Sequence, residues 1–374
     1  MPKTAYSTQF QGEYDLPQLA RKKGYPDIEG ANPAEITDSF REWVATDVVC
    51  SGCDAKGATV VAAARSSNRE GQRAQAHFRF GSANRPQAHD NLCEFYGDKE
   101  NAERSKHLID FNKTNSDLTR EVRQLICSGI SLGVFNQQTM REMRMWFLSV
   151  RQQHSVVLNL SENFIRQCSA LFAASHISSP PFRESMGSLP GLDWRGLACR
   201  VLCERHSYLL EEQRRHQAWL SARNLDVVIR LYRKWNAELT FDPNSLANEY
   251  DQAIELAQFI NAYRRAQYRT ISRNLPPSVS VNFLLALSAL LLFSVKWDMG
   301  LAIDAFVRIK TAPPPSDNLA GNLIGLNPFH DYANWTSLIM ANRLNAMRPN
   351  GMDVEDELRS IETELKLQAG LATH

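Results

Sequence analysis

The chain lacks the short motifs that identify the commonest enzyme classes. It contains no P-loop, no glycine fingerprint of dinucleotide-binding proteins, no Gly-x-Ser-x-Gly elbow and no His-Glu-x-x-His pair. Its carboxylates are scattered along the sequence, whereas a metal-dependent nuclease gathers several of them around its ions. The sequence therefore gives no support to a nucleotide hydrolase, a dehydrogenase, a serine hydrolase or a zinc protease of the usual kind.

Long hydrophobic runs and a secretory leader are also missing. The closest approach to a membrane span is Phe283 to Val295, whose 13 residues would form about 20 Å of helix. The hydrocarbon core of a bilayer is ~30 Å thick, so we expect a buried central helix here and no membrane partner. Residues 1–25 are polar, and the seven cysteines form no dense framework. These features favour a cytoplasmic protein with free or metal-bound thiols.

The global charge is nearly balanced and does not indicate a partner. The formal net charge is +1, but arginine outnumbers lysine by 31 to 11. Arginine forms bidentate contacts to phosphates and to base edges, which is typical of nucleic-acid-binding proteins. A GC-rich genome, which favours arginine codons, would produce the same excess, so both interpretations stay open.

Four residues in the first quarter of the chain have the spacing of a metal site. Cys50 and Cys53 form a Cys-x2-Cys pair, and His89 and Cys93 form a His-x3-Cys pair after a spacer of 35 residues. Three thiolates and an imidazole suit Zn²⁺ better than Ca²⁺ or Mg²⁺, which prefer oxygen. Four protein ligands leave no open position, so we expect a structural zinc site. Two alternatives remain: His77 replaces His89, or the Cys-x2-Cys pair is redox-active or incidental.

The residues around the first cysteine pair predict a small β module. Val48–Val49 and Thr59–Val61 have the composition of two short strands, with Gly52 and Gly57 at the turns. We therefore expect these two strands to pair as a zinc-ribbon hairpin.

The same module is locally basic. Between residues 56 and 85 the chain carries six cations against one carboxylate, Glu70. The cations are Lys56, Arg65, Arg69, Arg73, Arg79 and Arg85. A basic surface next to a zinc site is typical of nucleic-acid contact, although a solvated loop has the same composition.

Residues 46 to 115 resemble the N-terminal zinc-ribbon-like module of CoiA-like competence proteins. The residues that carry the resemblance are Cys50-x2-Cys53, His77-Phe78, His89-x3-Cys93, Glu103-x3-His107 and Lys113. The sequence departs from the pattern at Phe80, where the family has a second histidine, and no counterpart of the family's nuclease core follows. The resemblance implies a metal-stabilised module in a bacterial, DNA-related setting, and it does not carry over nuclease activity.

The remainder of the chain has helical periodicity. One helix is expected to end at Cys127, before Ser128-Gly129, and a second is expected to be capped by Asn136 and to point Arg141, Arg144 and Arg151 outward. We predict a mainly α fold with a small zinc-stabilised β module near the N-terminus, divided into four parts. These are an N-terminal arm with a short helix (1–45), the zinc-binding module (46–97), a helical domain (98–275) and a C-terminal helical region (276–374). The helix of the arm is expected over residues 34–44, capped by Asn32. The acidic helix from Asp353 to Leu367 is expected to dock on the basic middle of the chain or on a partner.

Three further clusters are candidate sites. Arg265, Arg269 and Arg273 form a basic stripe at a helix end, which suits phosphate tracking or compensation of the helix dipole. Cys199, Cys203 and His206 share one helical face, where small buried thiols are commoner than a second metal site. The third cluster, a candidate nuclease centre or an exposed helix, consists of Asp98, Glu100, Glu103, His107, Asp110 and Lys113.

These observations favour a zinc-containing, non-catalytic protein associated with nucleic acid, DNA rather than RNA. It would act as a regulator or as a subunit of a nucleoprotein complex. One alternative is a metal-dependent nuclease related to the competence-type proteins, with acids between Glu103 and Asp110. Another is a protein-interaction scaffold that uses the zinc module and the acidic C-terminal helix.

Overall fold

Helices make up most of the chain, and short strands cluster near its N-terminus, so the predicted fold class is confirmed. The computed structural model describes residues 4–25, 36–61, 64–65, 73–74, 76–81, 88–90, 92–93, 95, 117–217, 219–235, 239–263, 279–313, 329 and 332–371. The chain divides into two compact units. Unit 1 contains Met1–His154, Ser245–Arg273 and Pro277–His330, and unit 2 contains Ser155–Asn244, Asn274–Pro276 and Asp331–His374.

The regular elements of the described residues follow this order. The strands are β1 (Thr4–Ser7), β2 (Gly12–Asp15), β3 (Val48–Val49), β4 (Ala58–Val61), β5 (Ala64–Arg65), β6 (Arg73–Ala74), β7 (His77–Phe80), β8 (Ser155–Val157) and β9 (Leu239–Phe241). The first helices are α1 (Leu16–Lys23), α2 (Asp38–Asp47), α3 (Asp117–Ser131), α4 (Gln137–Gln153), α5 (Glu162–Ala174), α6 (Trp194–Arg205) and α7 (Ser207–Arg215). The last are α8 (Ala222–Trp235), α9 (Ala247–Ala262), α10 (Val279–Ser294), α11 (Met299–Thr311), α12 (Tyr332–Ala346) and α13 (Val354–Gln368).

The predicted pairing of the strands next to Cys50 is wrong. Val48–Val49 is indeed a strand, but it pairs antiparallel with β1, in a three-stranded sheet of order β2-β1-β3. The strand Ala58–Val61 pairs instead with β7, so that Val60 lies opposite Phe78. Each strand therefore finds its partner outside the segment 48–61, and the sequence between them forms a turn that connects two different sheets.

Residues 4–25 and 36–45, assigned to the N-terminal arm, share one core with the cysteine-containing segment. Leu16, Leu19, Phe40 and Val44 are fully buried in the same cluster as Phe78 and Phe80. The helix α2 begins at Asp38, because the Thr37 hydroxyl accepts the Phe40 N–H, and not at the position predicted from Asn32. Residues 26–35 lie outside the described residues.

Helix α3 continues past the point where glycine was expected to end it. The prediction placed its end at Cys127, but the helix runs through Gly129 to Ser131. A side chain at Gly129 would overlap the ring of Phe135, which is 3% exposed. The glycine is therefore present for close packing against Phe135, and the left-handed Gly133 follows the end of the helix.

Helix α4 begins as predicted and differs on its outer face. Asn136 caps it by accepting the Thr139 N–H at 2.9 Å. Arg144 and Arg151 were expected to point outward, but each is 6% exposed. The Arg144 guanidinium pairs with Glu13 of β2, which explains why a charged residue is stable on the inner face.

The most apolar helix, α10, lies in the core of unit 1, as the sequence predicted. Its side chains from Phe283 to Leu292 are at most 2% exposed, and it packs against α3, α4, α9 and α11. Among the described residues, none of the helices taken singly has the length and apolarity to cross a membrane. Asn282–Ser294 and Met299–Thr311 meet these criteria only as a pair, and the pair is bent by 116°.

In unit 2 the acidic helix α13 docks on the basic helix α6. Glu355 pairs with Arg195 at 2.8 Å, and Glu364 pairs with Arg205 at 2.9 Å. Val354, Leu358, Ile361 and Leu365 form its buried face. The acidic helix is thus partnered within its own unit. The predicted boundaries at 97/98 and 275/276 do not coincide with the boundaries of the two compact units.

We expect Gly129→Ala to lower the free energy of unfolding, although alanine is the better helix former. The gain in helix propensity is about 1 kcal/mol, whereas overpacking against a buried ring costs about 1–3 kcal/mol. Urea unfolding followed by circular dichroism measures the difference. Gly300→Ala is the matched control, since a Cβ there would meet only Asp298 Oδ1 at 3.4 Å. Equal or higher stability of Gly129→Ala would contradict the packing argument.

Candidate metal centre

Cys50, Cys53, His89 and Cys93 converge on one point. Their donor atoms all lie within 4.8 Å of one another. The Cys50 and Cys93 sulfurs are 4.0 Å apart, and His89 Nδ1 lies 3.4 Å from Cys53 Sγ and 3.8 Å from Cys93 Sγ. Ligands around a tetrahedral ion with Zn–S near 2.3 Å would be separated by about 3.8 Å for two sulfurs and about 3.6 Å for sulfur and nitrogen. The four residues can therefore hold a metal ion.

Backbone geometry shapes the first pair of ligands. The Cys50 N–H donates to Ala55 O at 2.9 Å, and the Asp54 N–H donates to Cys50 O at 3.1 Å. Asp54 adopts a φ of 55°, which closes the turn after Cys53. The Gly52 N–H points at Cys50 Sγ at 3.3 Å, and such a donor stabilises a thiolate. Gly52 also lies beside the second pair of ligands, since a Cβ there would be in ordinary van der Waals contact with Cys93 Sγ at 3.4 Å.

The second pair of ligands is shaped by an aspartate. The Asp90 carboxylate accepts the Leu92 N–H at 2.8 Å, and the Cys93 N–H donates to Asp90 O at 2.9 Å. The Phe95 N–H lies 3.5 Å from Cys93 Sγ, which repeats the relation of Gly52 to Cys50. His89 and Cys93 are thereby held on one side of a tight turn.

The centre lies in an apolar environment. Cys50, Cys93 and His89 are 0%, 1% and 5% exposed, and the rings of Phe80 and Phe95 lie 5.3 and 6.0 Å from the imidazole. The Phe80 ring packs edge-on against the imidazole of His89. The surroundings therefore exclude water from most of the cluster, while Cys53 remains partly exposed.

Burial sets the protonation of the thiols when no ion is bound. It raises the pKa of Cys50 and of Cys93, because a thiolate loses its hydration in this environment. Hydrogen bonds from Cys50 and Cys93 lower the pKa of Cys53. A divalent cation supplies the positive charge that allows the remaining thiols to ionise.

The structure favours His89 over His77 as the fourth ligand. His77 lies on β7 and does not belong to the ligand group found among the described residues. Cys50 and Cys53 lie beside Cys93 and His89, so the Cys-x2-Cys pair is part of a larger cluster of donors.

Helix α4 contacts both ligand turns, which no pattern in the sequence indicates. The Arg141 guanidinium pairs with Asp54, the residue after Cys53. Eleven residues further along the helix, Gln152 Nε2 donates to the carboxylate of Asp90, the residue after His89, at 2.8 Å. The two contacting residues lie about 16 Å apart along the axis of α4. One rigid helix thus fixes the position of each turn relative to the other.

Two more contacts fasten α4 to the N-terminal sheet. Arg141 also lies over the ring of Tyr6, with its central carbon 3.7 Å from the ring centroid. Arg144 pairs with the buried Glu13; burial raises the pKa of Glu13, and Arg144 and Arg141 oppose this shift. Because removing one partner of a buried pair leaves an uncompensated charge, this contact strongly favours the observed position of α4.

The predicted nucleic-acid-binding arginines are placed only in part. Arg79 is exposed on β7, opposite Thr59 of β4. Arg65 and Arg73 face each other in the register of β5 and β6, where the backbone alone is described. The remaining predicted residues, which lie outside the described residues, are Arg69, Arg85, Arg265, Arg269 and Arg273. The carboxylates and His107 of the candidate nuclease cluster at 98–113 also lie outside them.

The second predicted thiol cluster is not assembled as a metal site in the part of the chain that the structure describes. Cys199 is 1% exposed, and burial raises its pKa, which favours the neutral thiol. His206 Nε2 lies 2.8 Å from Glu357 of α13. Cys199 and His206 therefore contribute to the packing of α6 against α13.

Comparison of the chain with protein-family models, with curated proteins and with solved structures gives no match.

We expect His89→Gln to lose bound metal and His77→Gln to retain it. The first change replaces a ligand, whereas the second alters a strand residue outside the ligand group. Metal content of the purified proteins, measured by inductively coupled plasma mass spectrometry, distinguishes the two. Loss of metal from His77→Gln alone would contradict the assignment of the fourth ligand.

We expect Arg141→Ala and Gln152→Ala to release metal about tenfold faster, the lower end of the effect of outer contacts on metal sites. The rate is measured with a chromogenic chelator in excess. Gln153→Ala is the matched control, because Gln153 is exposed on the same helix and contacts only Ser149 within it. Release rates equal to that of the wild type would show that α4 does not hold the ligand turns.

Proposed function

We propose that the centre is a structural zinc site and that the protein is a non-catalytic, nucleic-acid-associated regulator or complex subunit. The observation that carries the first part is the closed set of four donors. Three sulfurs and one imidazole nitrogen form the ligand set of many structural zinc sites, whereas calcium and magnesium prefer oxygen. Iron is bound by similar ligands, but zinc best fits a single tetrahedral Cys3His site.

The zinc would connect two segments that are distant from each other in the sequence. Cys50 and Cys53 follow β3, and His89 and Cys93 follow β7. A spacer of 35 residues separates Cys53 from His89. Cys50, Cys93 and Phe95 belong to the same buried cluster as Phe78 and Phe80. Metal binding therefore supports the hydrophobic core of the N-terminal module, and removal of the metal is expected to unfold it.

A non-catalytic role follows from the same coordination. A catalytic zinc keeps one position for water or substrate, and four protein ligands occupy all positions of a tetrahedral ion. Access is also restricted, because three of the four ligands are buried. The scaffold alternative gains no support from α13, whose acids Glu355 and Glu364 already pair with arginines of α6.

The nucleic-acid part of the proposal rests on charge and on resemblance. Lys56 and Arg79 are exposed on the module that carries the metal centre. Arginine supplies 31 of the 42 cationic side chains, and it is suited to phosphate contacts. The resemblance to CoiA-like modules favours DNA over RNA. The metal site would hold this surface in shape and would not itself touch the nucleic acid.

The test is binding of the zinc-loaded protein to labelled DNA and RNA, single- and double-stranded, at 50 and 200 mM salt. We expect one zinc per chain, because the described residues contain one such ligand group. We also expect an affinity that falls steeply with salt, because phosphate contacts release counterions. His89→Gln is expected to lose both zinc and binding.

Absence of binding at low salt, in a protein that holds its zinc, would overturn the nucleic-acid proposal and leave the structural zinc site in place. A different native metal would overturn the zinc assignment.

A further inference from the structure

An aromatic surface with two lysines lies beside the metal-bearing module, on α1, α2 and the β1–β2 turn. Phe10, Tyr14 and Trp43 are half-buried and form a continuous row of rings. The ring centroids of Phe10 and Tyr14 are 6.4 Å apart, and those of Phe10 and Trp43 are 5.9 Å apart. The ring centroids of Trp43 and the fully buried Phe40 are 5.7 Å apart, so the row packs against the core.

Lys22 and Lys23, at the end of α1, lie over this row. Lys22 Nζ is 5.2 Å from the centroid of Tyr14 and 5.9 Å from that of Phe10. Lys23 Nζ is 4.4 Å from the centroid of Trp43 and donates to Gln9 Oε1 at 3.1 Å. Neither lysine has a carboxylate partner among the described residues. We call Phe10, Tyr14, Trp43, Lys22 and Lys23 the aromatic–lysine surface.

In the part of the chain that the structure describes, the carboxylates near these lysines are committed elsewhere. Asp15 accepts the Gln18 N–H as the cap of α1, and Glu13 pairs with Arg144. Asp47 is buried and accepts the Gln9 N–H at 2.7 Å, together with the hydroxyls of Ser7 and Thr8. Glu42 precedes Trp43 on α2 and points about 100° away around the helix. None of these described carboxylates therefore neutralises Lys22 or Lys23, and either lysine can pair with an external anion.

We propose that the aromatic–lysine surface binds single-stranded nucleic acid, with bases stacked on the rings and phosphates paired with the two lysines. Aromatic rows beside cations are the usual platform for single strands, because every base has a flat face and every linkage carries a charge. A duplex hides those base faces, so only its phosphates could bind here. An acidic peptide would neutralise the lysines and leave the rings without a partner.

The geometry allows this exchange without rearrangement of the backbone. Cation–π contacts at exposed sites are weak, so a lysine can leave a ring for a phosphate when a base takes its place. Trp43 Nε1 donates to Gln9 Oε1 at 3.0 Å, which fixes the orientation of the indole. Because Trp43 packs against the fully buried Phe40 and Phe10 packs against Trp43, the platform is preorganised and loses little entropy on binding.

This inference rests on the proposed association with nucleic acid and names the strand type and the residues. The experiment measures the affinity of the zinc-loaded full chain for labelled oligothymidylate, oligouridylate, a mixed duplex and polyglutamate at several salt concentrations. The variants are Lys22→Glu with Lys23→Glu, and Trp43→Leu. Arg183→Glu with Arg230→Glu is the charge-matched control, because both arginines are exposed in unit 2. Zinc content and thermal unfolding check that each variant is folded.

The lysine variant is expected to bind single strands at least tenfold more weakly. Its log affinity should depend less steeply on log salt, by about 1.4, since each phosphate contact on a single strand contributes about 0.7. Trp43→Leu should lower the affinity about tenfold and leave the salt slope unchanged, because stacking is lost and charge is not. The arginine control should bind as the wild type does.

Three results would overturn the proposal. If the wild type binds single strands and the lysine and tryptophan variants bind equally well, the nucleic acid uses another surface, and the proposed function stands. Tighter binding of the duplex, or of polyglutamate, would exclude stacking as the basis of recognition. No binding of any nucleic acid at low salt would remove the proposed function together with this surface.

Discussion

Three thiols and an imidazole brought together in a largely dehydrated place form the constraint on which the N-terminal half depends. Cys50 and Cys93 are buried where a thiolate is unfavourable and where apolar rings surround the cluster. A neutral cluster of this kind would gain little from its own proximity. A divalent cation bound there would cross-link the two turns, because it would replace the lost hydration of the thiolates.

The surrounding contacts show how the chain prepares that cluster. Two backbone N–H groups, from Gly52 and Phe95, point at sulfurs from equivalent positions in the two turns. Helix α4 then fixes the turns to each other through Asp54 and Asp90, both one residue beyond a ligand. The helix is held by the buried pair of Glu13 and Arg144, so the sheet, the helix and the metal site stabilise one another.

The local features could be predicted from the sequence, whereas the contacts between distant segments could not. The group of four possible ligands follows from residue type and spacing, the cap of α4 follows from Asn136, and the buried positions of α10 and α13 follow from their apolar residues. The pairing of β3 with β1 did not follow, because two-residue strands carry no register information. Arg144 was placed on the outer face, because its partner Glu13 lies 131 residues away in the chain. Gly129 was expected to end α3 because glycine is common at helix ends. The helix continues through it, and glycine is required there because a side chain would overlap the ring of Phe135.

The order of the two units along the chain has a consequence for biosynthesis. Unit 1 contains Met1–His154 and is completed only by Ser245–Arg273 and Pro277–His330, after the first segment of unit 2. During synthesis, α3 and α4 emerge well before α10, the helix that covers their apolar faces. The nascent chain must therefore keep this surface from aggregating while about 90 residues of another unit are translated, a period of several seconds at ordinary elongation rates. Binding of a metal ion by the first 93 residues would allow the N-terminal part of unit 1 to fold before α10 is synthesised.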